Sequence, residues 1–115
     1  MNLNQSRGGM AKGVMRGLCG MYAGAEISLA EGGVILGRDA TKANLVFGDG
    51  HTRVSRRHCK ISFDRQNQVF RLEDYSSTGT YKNGSTKCLP QGMSVPLQPG
   101  SVIAIGDETN MFILE

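Results

Sequence analysis

The sequence predicts an all-β domain, a sandwich or barrel of short strands. From Gly17 onward, apolar or alternating segments are interrupted every several residues by Gly, Asn, Asp or Pro, as when short strands are joined by turns. No stretch carries the 3.6-residue apolar period of an amphipathic helix. Sixteen glycines among 115 residues suit a chain rich in turns, because glycine enters backbone conformations that other residues avoid. The length leaves room for one domain that buries its own core without disulfides or metals.

The expected strands, in order, are 17–22, 25–29, 34–37, 44–46, 58–63, 69–73, 80–82, 93–96, 101–105 and 110–114. In the fifth, His58-Cys59-Lys60-Ile61-Ser62-Phe63 alternates, which puts Cys59, Ile61 and Phe63 on the core face and Lys60 and Ser62 on the other. The short polar connection at 64–68 makes an antiparallel hairpin with the sixth. Asn83-Gly84 ends the seventh with the two residues that best accept the positive φ angles of a type I′ turn. Pro90, Pro96 and Pro99 fall in the last third, where proline suits loops and edge strands. The closing run Met111-Phe112-Ile113-Leu114 is apolar throughout, as expected of a strand covered on both faces or paired beside the N-terminal strand. Residues 1–13, rich in Asn, Gln, Ser, Gly and Lys, have little to bury and are expected to form a flexible arm or linker; the domain is expected to span 14–115.

A formal charge of +3 favours an anionic partner but falls short of a nucleic-acid-binding surface, and the basic stretch has no interleaved aromatics. Cys19, Cys59 and Cys88 are odd in number and lack C-x-x-C spacing, so neither a disulfide framework nor a metal site is expected, and a reducing, cytoplasmic (intracellular) setting fits. No apolar run approaches the roughly 18 residues of a membrane span, and no signal-peptide core is present. No P-loop or nucleophile motif occurs, and no cofactor is expected.

Three polar clusters lie at strand ends or in loops: Gly37-Arg38, Ser55-Arg56-Arg57-His58, and Ser76-Ser77-Thr78-Gly79-Thr80 running on to Asn83-Gly84. Guanidinium forks, hydroxyls and amides of glycine-containing turns together make an anion site. Four Arg or Lys residues and no acid fall between His51 and Lys60, the most positive stretch of the chain.

In order and spacing, Gly37-Arg38, Ser55-x-x-His58, Ser77-Thr78-Gly79-Thr80 and Asn83-Gly84, followed by 99–106, resemble the signature of the forkhead-associated (FHA) domain family. The resemblance implies an FHA-like (SMAD/FHA) sandwich of two twisted antiparallel sheets with about eleven strands, whose loops at one end read phosphothreonine in a partner protein or peptide. It implies that Arg38 contacts the phosphate, that Ser55 donates its hydroxyl, that Arg56 or Arg57 adds charge or holds the peptide backbone, and that Ser77 and Thr78 supply the third loop. Gly37, His58, Gly79 and Asn83 are its structural support, His58 as a brace rather than a catalytic base with Ser55. The family pattern usually has Asn where this chain has Thr78, and a single hydroxyl cannot donate and accept with the reach of a carboxamide. A Ser/Thr kinase system is the implied source of ligand. The alternative is a phosphate-independent assembly or scaffold module on the same fold; the oligomeric state stays open.

Overall fold

Every strand is short enough that its neighbours decide where it stops. The computed structural model describes residues 10–29 and 32–115. Its ten strands are β1 (Val14–Cys19), β2 (Glu26–Ser28), β3 (Val34–Gly37), β4 (Leu45–Val46), β5 (Cys59–Asp64), β6 (Val69–Asp74), β7 (Thr80–Lys82), β8 (Ser94–Leu97), β9 (Val102–Ile105) and β10 (Met111–Leu114). They form two five-stranded sheets, ordered β2-β1-β10-β9-β7 and β4-β3-β5-β6-β8. The first is antiparallel throughout; the second is antiparallel except that β4 runs parallel to β3, Leu36 opposite Leu45. The all-β sandwich expected from the sequence is therefore present, with ten strands among the described residues.

The first two strands depart from expectation. β1 begins at Val14, and residues 20–25 turn back instead of extending the strand. Gly20 and Gly24 take φ angles of 85° and 82°, and Gly17 exchanges backbone hydrogen bonds with Ala25 and Gly24. A Cβ on Gly17 would sit 1.8 Å from the Tyr22 carbonyl oxygen, so the fold-back requires glycine. The expected arm at 1–13 lies outside the described residues up to position 9. At its end, the Ala11 amide donates to the Gln68 side chain at 2.7 Å, and the Lys12 amide to the Glu115 carbonyl at 3.0 Å.

Elsewhere local sequence and structure agree. β5 and β6 pair over six residues, with Cys59 and Ile61 fully buried. Asn83 and Gly84 have φ angles of 49° and 77°, and the Ser85 amide closes the turn on the Lys82 carbonyl at 2.9 Å. The returning limb then makes only a single bridge, Cys88 opposite Tyr81. Pro96 lies on β8, an edge strand, where a missing N–H costs no ladder bond.

The core lies between the sheets. Met15, Ile103, Ile105, Phe112 and Leu114 come from one sheet, and Leu36, Ile61, Phe70, Leu72 and Leu97 from the other. Phe47, from the loop after β4, closes the loop end with edge-on contacts to Tyr22 at 5.3 Å and Phe112 at 6.3 Å between ring centroids. β10 pairs with β1, as its apolar run suggested. Only one of its faces is covered: Phe112 and Leu114 are buried, while Met111 and Ile113 are partly exposed on the other. Among the described residues no helix is long and apolar enough to cross a membrane.

Phe112→Ala removes the ring at the centre of this packing and is expected to lower the unfolding free energy by about 3–5 kcal/mol. Urea denaturation measures it; a loss below about 1 kcal/mol would mean that the site collapses around the deletion.

Candidate functional site

Loops after β3, β4 and β6 meet at one end of the sandwich, held there by backbone contacts. A Cβ on Gly37 would fall 2.1 Å from the Arg56 carbonyl oxygen, so only glycine lets the β4–β5 loop press against the end of β3. The Arg38 amide donates to the Ser55 carbonyl at 3.0 Å and the Asp39 amide to the Arg56 carbonyl at 3.2 Å. These bonds bring Arg38 beside Ser55, although 17 positions separate them.

Arg38 spends one donor on the fold: its Nε donates to the Val54 carbonyl. That bond fixes the guanidinium plane and leaves both terminal nitrogens without a protein acceptor among the described residues. With Arg56, Asp39, Ala40 and Asp49 it lines an open groove of about 340 Å³. Asp39 is occupied locally, its Oδ1 accepting from the Thr41 amide at 2.9 Å and hydroxyl at 2.7 Å. Those bonds hold its carboxyl below the usual carboxylate pKa.

Ser55 faces the third loop. Its Oγ accepts from the Ser77 amide at 3.1 Å and lies 3.4 Å from the Ser77 Oγ. The Ser55 hydroxyl hydrogen can turn to the Ser77 Oγ or to an added acceptor. Thr78 turns the other way, its hydroxyl donating to the Arg53 carbonyl. At this position the side chain ties the third loop to the second.

His58 joins the loops from beneath. It is fully buried; Nδ1 accepts from the Ser55 amide at 3.0 Å, and Nε2 lies 2.9 Å from the Gly79 carbonyl. The amide can only donate and the carbonyl can only accept, so the ring is the neutral Nε2–H tautomer. Burial pushes its pKa below the ordinary histidine value, against the weaker opposing pulls of the Gly79 carbonyl and Asp74. Since His58 bonds the Ser55 amide and not its hydroxyl, the two do not form a nucleophile–base pair.

The structure thus brings Arg38, Arg56, Ser55 and Ser77 to one end, with Gly37, His58 and Gly79 behind them. Arg57 does not join them: its guanidinium stacks over the Tyr75 ring at 3.9 Å, a cation–π contact. Asn83 is also elsewhere, its amide and side-chain oxygen both bonded to the Val102 backbone, at 2.7 and 2.8 Å. His51 lies at the side, Nδ1 3.1 Å from the Asn110 amide nitrogen.

Comparison with known families matches residues 34–106, the span carrying all three loops, to the FHA domain. The chain belongs to the FHA domain family. Among solved structures, it is similar to the FHA domain of CT664 from Chlamydia trachomatis, with 28% identity, a TM-score of 0.69, and 88% of this chain and 93% of that one covered. An FHA structure described in work on phosphothreonine-dependent interactions is 31% identical, with a TM-score of 0.64 and coverage of 89% and 93%. The FhaA FHA domain, solved in complex with the intracellular domain of Rv3910, is 30% identical, with a TM-score of 0.62 and coverage of 89% and 98%. A search of curated proteins finds no match.

Within this FHA fold, sequence reasoning missed the support of the third loop. Asp74 is fully buried, and its Oδ1 accepts from the Ser76 amide at 3.2 Å, the Ser76 hydroxyl at 2.7 Å and the Thr80 hydroxyl at 3.0 Å. The Ser76 Oγ in turn accepts from the Gly79 amide at 2.8 Å. An acid two residues before a serine at a strand end was the available signal, since such a side chain bonds the backbone two residues on.

His58→Ala strands the Ser55 amide and leaves the Gly79 carbonyl with the Gly106 amide alone, and is expected to cost about 1–3 kcal/mol. The depressed pKa also predicts a pH dependence. The unfolded chain takes up a proton near the ordinary histidine pKa of about 6.5 while the native ring stays neutral, so this contribution is complete above that pH and is lost as pH falls through the window below it. Thermal melts of the wild type and His58→Asn between mildly basic and mildly acidic pH measure it; parallel curves would contradict the assignment.

Proposed function

We propose that this chain is a phosphothreonine-dependent protein-interaction module that binds phosphorylated partner peptides through the β3–β4, β4–β5 and β6–β7 loops, downstream of a Ser/Thr kinase. The observation that carries this reading is the coupling of Arg38 and Ser55: backbone bonds join their loops, the terminal nitrogens of Arg38 have no protein acceptor among the described residues, and the Ser55 hydroxyl can turn from Ser77 to a ligand. A phosphate monoester carries roughly −2 charge and several acceptor oxygens, and converging donors on a rigid scaffold bind it without the ordering cost of a mobile loop. Arg38 supplies the planar fork, Ser55 and Ser77 supply hydroxyls, and Arg56 adds charge along the same groove.

Arg57, turned onto Tyr75, contributes positive potential rather than direct contact. Thr78 acts through the loop it ties to Arg53, so the peptide backbone is held by fewer side-chain bonds than an Asn there would give. The module occupies residues 14–115 and performs no chemistry of its own. A cytoplasmic setting is supported by Cys19, Cys59 and Cys88 all being free thiols.

A degenerate phosphothreonine peptide library, run beside phosphoserine and unphosphorylated libraries, tests the reading. Arg38→Ala is expected to weaken binding by roughly 2–4 kcal/mol, about 30- to 900-fold, and Ser55→Ala by about 1 kcal/mol. Phosphate-independent binding that survives Arg38→Ala as the chain's main interaction would overturn it.

A further inference from the structure

The outer faces of the two sheets are unlike. On the β4-β3-β5-β6-β8 sheet the outward rows are mostly polar: Ile35 opposite Lys60 opposite Glu73 opposite Ser94, and Ser62 opposite Arg71 opposite Pro96. That is the ordinary pattern of a sheet facing water. On the other sheet the corresponding rows are Tyr81, Ala104 and Met111, then Val102, Ile113 and Arg16. Ala104 is buried and Tyr81, Val102, Met111 and Ile113 are partly exposed, so the apolar run of the last strand is only half explained by the core.

The face holds a groove of about 360 Å³, at the small end of the range of ligand clefts, roughly 300–1,000 Å³. Tyr81, Val102, Ala104 and Met111 form its apolar part. One bank carries Asp107 and Glu108, and no basic residue lines it. Asp107 is held ionised by the Thr109 amide, its carboxyl below the usual carboxylate pKa, and Glu108 is exposed. The groove continues into the loop end of the sandwich, where the Gly106 amide donates to the Gly79 carbonyl at 2.9 Å.

We infer that this groove is a second docking surface, occupied by a partner-protein segment that presents an apolar side chain beside a lysine or arginine. Apolar floor and acidic bank select that chemistry together: the floor desolvates the anchor, and the bank attracts a base and repels an acid. A second copy of this chain fits poorly. Two-fold pairing of the face sets like surfaces together, bringing two acidic banks against each other, while Arg16, the base in its rows, is paired with Glu115 at 3.1 Å. The inference is independent of the phosphothreonine reading, because none of the residues it uses contacts the proposed phosphate.

The test is binding of the whole chain, by fluorescence polarisation, to an array of short unphosphorylated peptides. Each carries Leu, Met or Phe flanked by Lys/Arg, by Asp/Glu or by Ser/Gly. Basic flanks are expected to bind at least about fivefold tighter than acidic ones, and Glu108→Lys to reverse that order. Met111→Ser should weaken every apolar anchor by about tenfold, and Arg38→Ala should change nothing. Absence of a flank preference, indifference to Glu108→Lys, or loss in Arg38→Ala would each overturn the proposal. So would self-association in sedimentation that Met111→Ser abolishes, which gives the face to a second copy. Glu108 is exposed, so its variant keeps the test valid should Met111→Ser fold poorly.

Discussion

The imidazole of His58 bridges two loops that no strand pairing joins. One nitrogen takes the amide of Ser55, and the other donates to the carbonyl of Gly79. Without the ring the Ser55 amide would be buried unpaired or would have to reach water, and the Gly79 carbonyl would keep only the Gly106 amide. A buried ring able to donate and accept at opposite edges satisfies both. Neutrality is a condition of the arrangement, because a proton on Nδ1 would set two donors against each other. Burial, which depresses the histidine pKa, therefore maintains the clasp that it also requires.

From that clasp the loop end is built outward. Ser55 is held by His58 and by the Arg38 amide, and its oxygen in turn receives the Ser77 amide. The third loop rests on Asp74, whose one oxygen gathers Ser76 and Thr80, and on the Thr78 hydroxyl bonded to Arg53. Three loops from separate strands thus share hydrogen bonds before any ligand arrives. Among the described residues, the terminal nitrogens of Arg38 find no acceptor in this network, and the Ser55 hydroxyl meets only the Ser77 Oγ, at 3.4 Å. Pre-organisation of this kind spares a ligand the cost of ordering the loops.

Substitution of Thr for the usual Asn at position 78 takes its meaning from the same network. A threonine hydroxyl is short and has a single proton, and here that proton goes to the Arg53 carbonyl. That bond links the second and third loops. Arg57 and Asn83 likewise serve surfaces of the sandwich rather than its rim, through Tyr75 and Val102 respectively.

Much of the fold was legible because local rules decide it. Alternation fixed which side of β5 faces the core, Asn83-Gly84 fixed a turn, and the spacing of Gly37-Arg38, Ser55 and His58 marked the loops that meet. The Gly17–Tyr22 segment misled, since its return depends on glycines whose close contact with Tyr22 and Ala25 appears only when the chain folds back. By itself, then, the sequence determined the all-β class, most of the strands, and the cluster of polar residues that meet at the loop end. Tertiary structure alone decided which arginine faces the groove and which stacks on a tyrosine, which hydroxyls bind the fold, and that an apolar strand would be buried on only one side. Strand period and turn chemistry act between neighbours in the chain. Donor direction and burial depend on atoms that distant strands bring to the same place.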